Sequence, residues 1–266
     1  MEATTELLDV LLDTPLFFIV MSSSFAIAGG YIINNFYDNE KDLINRPLKS
    51  IIDQNISKNT QLKTYFSLNF LSILFAYFVS WRAVLFYSVY IFLLWFYSHK
   101  LKKYPIIGNI SASTLALLPF FGILIHFQNF GAEVFTHALY LYLIVLIREL
   151  VKDLENLSGD LANNYQTISV RFGEKTSKYI ISILVILTFI PAFILSNYID
   201  TGKMYYYFFT SSGCLIAFLL SLFQAKRKSD YIKLHILLKI ILISGILSVI
   251  LIDCRVLLHG WKMIEK

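Results

Sequence analysis

The feature that most constrains this chain is a series of continuous apolar runs. Each is about 20 residues long, the length at which an α-helix crosses a bilayer. Eight such spans are predicted, at roughly residues 15–36, 62–80, 82–99, 106–127, 133–151, 177–198, 204–224 and 234–258. The runs are not alternately polar, as the strands of a membrane barrel would be. The expected fold is therefore all-α, a multispanning transmembrane helix bundle, taken as a single domain over residues 1–266. Only 15% of residues are charged and 57% are hydrophobic, against roughly a quarter charged in a soluble domain. Breaks are expected at Tyr104-Pro105, Asn129-Phe130-Gly131 and Asp200-Thr201-Gly202. The acidic start (Glu2, Glu6, Asp9, Asp13) has no positive n-region and does not read as a signal peptide.

The basic residues sort by loop. Lys41, Arg46, Lys49 and Lys58, then Lys100, Lys102 and Lys103, then Lys152, Arg171, Lys175 and Lys178, then Lys226, Arg227, Lys228 and Lys233 all fall on one side of an eight-span topology. That side is expected to be cytoplasmic, with both termini outside. Such a protein belongs in the cell's inner or plasma membrane. The net charge of +5 is then accounted for by topology and anionic lipid headgroups, and does not point to nucleic acid. Cys214 and Cys254 lie within apolar runs, so no disulfide framework is expected. The five His residues show no metal-ligand spacing and read as structural or interfacial.

Two polar clusters end apolar runs on the basic side. In the first, Asn34, Asp38 and Asp42 fall at roughly 0°, 40° and 80° around a helix, with Asn35 at the margin near 100°. In the second, counted from Glu149, Asp153 falls at about 40°, Asn156 at about −20° and Asp160 at about 20°, while Glu155 points away. Replacing Glu155 is accordingly expected to matter little. A hard cation such as Mg²⁺ takes oxygen ligands from one or two carboxylates and completes its shell with phosphate. Asp38, Asp42 and Asp160 would supply carboxylates and Asn34 an amide oxygen. Nearby Lys and Arg would meet a diphosphate, and Arg171, in the turn broken by Gly173, could reach it too. Asp153 would partly make up for the neutral Asn156. Set against this, acids at helix ends are often only solvated, and Arg148 and Glu149 could simply pair with each other.

The motifs resemble those of the UbiA superfamily of intramembrane prenyltransferases. Its first motif, Asn-Asp-x-x-Asp-x-x-x-Asp followed by Asn-Arg-Pro, is matched by Asn34, Asp38 and Asp42 and by Asn45, Arg46 and Pro47. A Tyr-Ser-x-x-Leu-Lys segment with a following Gly-Asn is matched by Tyr97, Ser98, Leu101, Lys102, Gly108 and Asn109. The second motif is matched by Arg148, Glu149, Lys152, Asp153, Gly159 and Asp160, with Thr167 and Gly173 downstream. The form is similar to the digeranylgeranylglyceryl phosphate synthase-like branch. Two positions depart from the pattern: Asn35 and Asn156 stand where the family has acids. The family usually has nine spans, and the helix before the first motif is expected to be missing here.

The resemblance implies an enzyme, a Mg²⁺-dependent prenyltransferase. It would move a prenyl group from an isoprenoid diphosphate to a lipid or aromatic acceptor, at a site facing the cytoplasm. Asn34, Asp38, Asp42, Asn156 and Asp160 would hold the metal. Asn34, Arg46, Lys102, Lys152, Asp153 and Arg171 would bind substrate. Lys102 would stabilise the departing diphosphate and Tyr97 would shield the carbocation, beside Asp38, Asp42 and Asp160 as the catalytic acids. The alternative is a non-catalytic lipid-binding or scaffold protein with the same fold. A transporter is disfavoured, because the polar residues gather at one face and not at midplane.

Overall fold

A computed structural model describes residues 13–128 and 130–249, with backbone only at 54 and 199–201. Among the described residues there are helices and no strands. In chain order they are α1 (Thr14–Asn45), α2 (Pro47–Gln54), α3 (Lys58–Tyr77), α4 (Trp81–His99), α5 (Ile107–Phe127), α6 (Ala132–Glu155), α7 (Leu157–Ala162), α8 (Ile168–Ser196), α9 (Tyr205–Gln224) and α10 (Lys228–Ser248). Short 3₁₀ turns cover Leu101–Lys103 and Ile199–Met204. Every predicted span has its helix. Seven are long and apolar enough to cross a membrane. The eighth, α3, is not in that set, because its first turns carry Lys58, Asn59, Gln61, Lys63 and Thr64. The protein is an integral, multi-pass membrane protein. The last predicted span ran on to residue 258; positions 250–258, both chain ends and the inferred missing helix lie outside the described residues.

The outer faces of the helices differ from those of a soluble bundle. On α8, Ile183, Ile186, Ile190 and Phe193 are exposed, spaced three or four apart, while Ile181, Val185, Ala192 and Leu195 are buried. One helix therefore carries an apolar inner stripe and an apolar outer stripe, as a lipid-facing helix requires.

The chain forms two compact units. The first comprises residues 13–126 together with Ser158–Thr167. Its core joins Ala26 of α1, Ala76 of α3, Tyr87 and Tyr90 of α4, and Leu115 of α5. Three hydroxyls in this core are paired with backbone carbonyls, as burial in lipid favours. Tyr87 Oη donates to the Ile19 carbonyl at 2.9 Å and Ser72 Oγ to the Ser22 carbonyl at 2.8 Å. Tyr90 Oη reaches the Leu115 carbonyl at 3.2 Å.

The second unit holds, among the described residues, Phe127–Leu157 and 168–249. Its core runs along α6 (Ile144, Ile147, Val151, Leu154) and meets Val185 of α8, Phe218 of α9 and Leu238 of α10. The basic ends of these helices meet as well. Lys178 Nζ reaches the Ala225 carbonyl at 2.5 Å and Glu174 at 2.8 Å, and Tyr231 Oη donates to Glu174 at 2.6 Å. Gly173 breaks α8 with φ 83°, a backbone conformation open mainly to glycine. The expected turn at Arg171-Phe172-Gly173 is thus a kink inside one long helix.

Candidate active site

The helix α1 continues through Asn45 without a break, so Asn34, Asp38 and Asp42 do form one stripe at its end. Each of its carboxylates ends on a lysine. Asp38 Oδ1 lies 2.8 Å from Lys102 Nζ, and Asn34 bridges the two, donating to Asp38 at 3.0 Å and accepting from Lys102 at 3.3 Å. Lys102 is buried, presented by the 3₁₀ turn after α4. A Cβ on Gly108 would stand only 3.2 Å from the carbonyl oxygens of Leu101 and Lys102. The glycine therefore lets α5 begin hard against the turn that carries this lysine.

The second motif is not one helical stripe. The helix α6 stops at Glu155, and Asn156 takes φ −101°, ψ 11° as its C-cap before α7 restarts. The expected shared face of Asp153, Asn156 and Asp160 is therefore cut at Asn156. Residues Ser158–Thr167 fold into the first unit, while Asp153 and Asn156 stay on the second. The docking of the segment is specific. Gly159 N–H donates to Asn45 Oδ1 at 3.1 Å, and Gln166 N–H donates to the Lys103 carbonyl at 2.8 Å. A Cβ on Gly159 would run into the Asn45 side-chain amide, so a larger residue there would displace Asn45 from this contact.

This docking brings Asp160 to the end of α1. Asp160 is fully buried. Its Oδ1 lies 2.6 Å from Lys41 Nζ, and its Oδ2 accepts from Thr167 Oγ1 at 3.3 Å. Burial pushes its carboxyl above the ordinary value, and the nearby Asp38 charge adds to this, while Lys41 and Thr167 oppose it. Tyr165 stands among these groups. Its Oη donates to Asp38 at 3.3 Å, and Lys41 sits 4.6 Å over its ring. Desolvation, and then the Asp38 carboxylate, raise the phenol's pKa. Tyr165 is thus a neutral donor between Asp38 and the Lys41–Asp160 pair.

Asp42 faces a different partner set. Lys49 Nζ lies 3.0 Å from Asp42 Oδ2, 2.6 Å from Asn35 Oδ1 and 3.7 Å from Asp53 Oδ2. Asn35 Nδ2 donates to Asp53 at 3.0 Å. Asp53, on α2, is therefore a further acid in this corner. Sequence reasoning missed Asp53, the brace made by Lys49, Tyr165 and the Asn45–Gly159 latch. Among these, only the two ends of the latch carried a readable signal, Asn45 in the Asn45-Arg46-Pro47 stretch and Gly159 in the second motif.

The remaining expected site residues are placed as follows. Tyr97 is half-buried at the edge of the first unit's core, and Arg46 caps α2. In the second unit, Lys152 bonds Glu149 at 3.0 Å and Arg148 bonds the same carboxylate at 3.0 Å. Asp153 is half-buried and Arg171 is exposed. Asn156 is buried, and its Oδ1 has no hydrogen-bond partner among the described residues.

Among the described residues, no three Asp, Glu, His or Cys groups could enclose a metal ion by themselves. The donors present still fit Mg²⁺. In the first unit they are the oxygens of Asn34, Asp38, Asp42 and Asp160, and Mg²⁺ commonly takes one or two carboxylates plus water and substrate phosphate.

Residues 5–243 match the model of the UbiA prenyltransferase family. Among curated proteins, the chain is 32% identical over 230 residues to digeranylgeranylglyceryl phosphate synthase of Saccharolobus solfataricus, covering 84% of this chain and 79% of that one. It is 35% identical over 172 residues to the synthase of Sulfurisphaera tokodaii, a match spanning 62% of each protein. A solved structure described as digeranylgeranylglyceryl phosphate synthase in membranes is 26% identical, with a TM-score of 0.63 over 96% of this chain and 87% of that one. A UbiA homologue from Archaeoglobus fulgidus bound to GPP and Mg²⁺ shares the fold at a TM-score of 0.60 and 15% identity, over 89% of this chain and 88% of that one. With the family model matched over most of its length, the chain belongs to the UbiA prenyltransferase family.

Proposed function

We propose that the protein transfers a prenyl group, within the membrane, from an isoprenoid diphosphate to a lipid acceptor of the glycerol phosphate type, with aromatic acceptors as the other class. The observation that carries this reading is the buried junction of Asp38–Lys102 and Asp160–Lys41 around Tyr165. It pairs oxygen ligands for a cation with ammonium groups for phosphate. The names of the relatives, and the Mg²⁺ and GPP bound by the A. fulgidus homologue, support the same chemistry. Mg²⁺, held by Asn34, Asp38, Asp42, Asn156 and Asp160, would supply charge neutralisation on the leaving group.

The chain's own residues do the rest. Lys102 exchanges its carboxylate for a phosphate oxygen and stabilises the departing diphosphate as the allylic C–O bond breaks. Lys41 does the same from Asp160. Arg46 would add a further cation for the diphosphate in the same unit. The ring face of Tyr97 shields the developing carbocation, and the acceptor then attacks the allylic carbon. The site faces the cytoplasm of the cell membrane, by the asymmetry of the basic loops. The test is diphosphate release from geranylgeranyl diphosphate by the purified protein, with lipid and aromatic acceptors in turn. Release only when both Mg²⁺ and an acceptor are present is expected. No turnover with any pair would favour the non-catalytic lipid-binding alternative, for which the two amides, Asn35 and Asn156, speak.

Those amides are expected to behave differently. Asn156→Asp places a carboxylate on an oxygen without a partner, so it should lower the Mg²⁺ concentration needed for half-maximal turnover, by about tenfold. Asn35→Asp sets a second carboxylate against Asp53, 3.0 Å away, and should gain nothing unless combined with Asp53→Asn. Mg²⁺ titrations of the single and double variants check both expectations.

A further inference from the structure

The helix α2 has three faces. Around its axis, Ile51, Leu48 and Ile52 fall at roughly −60°, 0° and 40°, Lys49 and Asp53 at about 100° and 140°, and Ser50 at about 200°. Ser50 is buried against the protein at 1% exposure. Lys49 and Asp53 face Asn35 and Asp42. The third face is bare: Leu48 is 79% exposed, Ile51 61% and Ile52 67%, and Ile56 continues it at 50%. Exposed isoleucines are ordinary on the spans, but α2 is no span. Eight residues rise only about 12 Å, against a hydrocarbon core of about 30 Å.

We infer that α2 lies flat in the membrane interface, with Leu48, Ile51, Ile52 and Ile56 sunk among the lipid acyl chains. Three observations name lipid as the occupant. The bare face continues Leu43 and Ile44, which are exposed at the end of the α1 span immediately before it. Two exposed lysines, Lys58 and Lys63, follow at the start of α3 and complement anionic headgroups. The polar and apolar sides of α2 are sharply divided, the pattern of a helix seated at an interface. Since Lys49 lies on the neighbouring face, lipid contact fixes the rotation of α2. It thereby fixes the ammonium held by Asn35, Asp42 and Asp53. Lipid seating holds whether or not the protein transfers prenyl groups.

Site-directed spin labelling tests this in full-length protein with Cys214 and Cys254 replaced by serine. The protein is reconstituted in vesicles of phosphatidylcholine and phosphatidylglycerol. Nitroxides at Leu48→Cys and Ile52→Cys should be relaxed more strongly by oxygen than by a water-soluble nickel chelate, with the reverse at Asn59→Cys. Stronger nickel relaxation at 48 and 52 would overturn the inference in favour of a solvated helix. Shielding from both reagents would overturn it in favour of a protein cover, such as a second copy of the chain. If a label disturbs folding, Leu48→Trp in a chain with Trp81, Trp95 and Trp261 replaced by phenylalanine reads the same depth: its fluorescence should be quenched by brominated acyl chains, and an unquenched signal overturns lipid seating.

Discussion

Asp160→Asn is expected to cut Mg²⁺-dependent diphosphate release by at least about 10²- to 10³-fold, while raising the melting temperature of the metal-free protein. Asp160 is the most deeply buried acid of the site, with 0% exposure. Its burial works against the charged form more than Lys41 and Thr167 work for it. An amide of the same shape keeps the bond from Thr167 and carries no charge to desolvate. A carboxyl raised above its ordinary 3.8 binds its proton more tightly folded than unfolded. The metal-free protein therefore loses stability as pH rises from about that value through the raised one, and the asparagine variant lacks that loss. Melting curves in chelator across acid to neutral pH, set beside release assays, check both halves. Lower stability of the variant at neutral pH would mean that the Lys41–Asp160 pair holds the fold and is not held by it.

Glu155→Ala is expected to cost about 1–3 kcal/mol of stability, the range for leaving a buried polar group without its hydrogen-bond partner. The periodicity of the second cluster turns Glu155 away from the motif, which makes it dispensable for donor binding. In the structure it is turned away onto His235, with Glu155 Oε2 2.7 Å from His235 Nδ1 and exposures of 8% and 5%. Removing Glu155 would leave His235 with neither ring nitrogen paired within the second unit, since Nε2 already has no partner. Exchanging both residues for apolar ones of similar volume should restore most of the loss. Chemical unfolding of the single and double variants measures the difference. A Glu155→Ala loss under about 1 kcal/mol would mean that the Glu155–His235 contact adds little to the fold.

The spans were legible because lipid solvation imposes a run length that any membrane helix must meet. The stripe of Asn34, Asp38 and Asp42 was legible because α1 runs unbroken past them, and Gly173 was legible as a breaker. What the sequence hid is non-local. Asn156 ends a helix whose polar periodicity continues straight through it, so Asp153 and Asp160 look like neighbours and fold into different units. Asp53 stayed hidden, because nothing in its spacing reveals that Asn35 and Lys49 turn toward it. Tyr165 meets Asp38 across 127 positions, a distance at which periodicity carries no information.

That separation has a consequence for how the protein is made. The end of α1 leaves the ribosome early with Lys41 and Asn45 in place, but their partners Asp160 and Gly159 are not yet synthesised. Between them the chain must complete four more long helices, α3 to α6. Only then can the ten residues Ser158–Thr167 return to the first unit. A half-made chain therefore holds a lysine and an amide at the edge of lipid without their counterparts. Loop closure over such a length is slow relative to local helix formation. The carboxylate junction is thus among the last features to form, and a nascent chain stays chemically silent until its second half has been threaded.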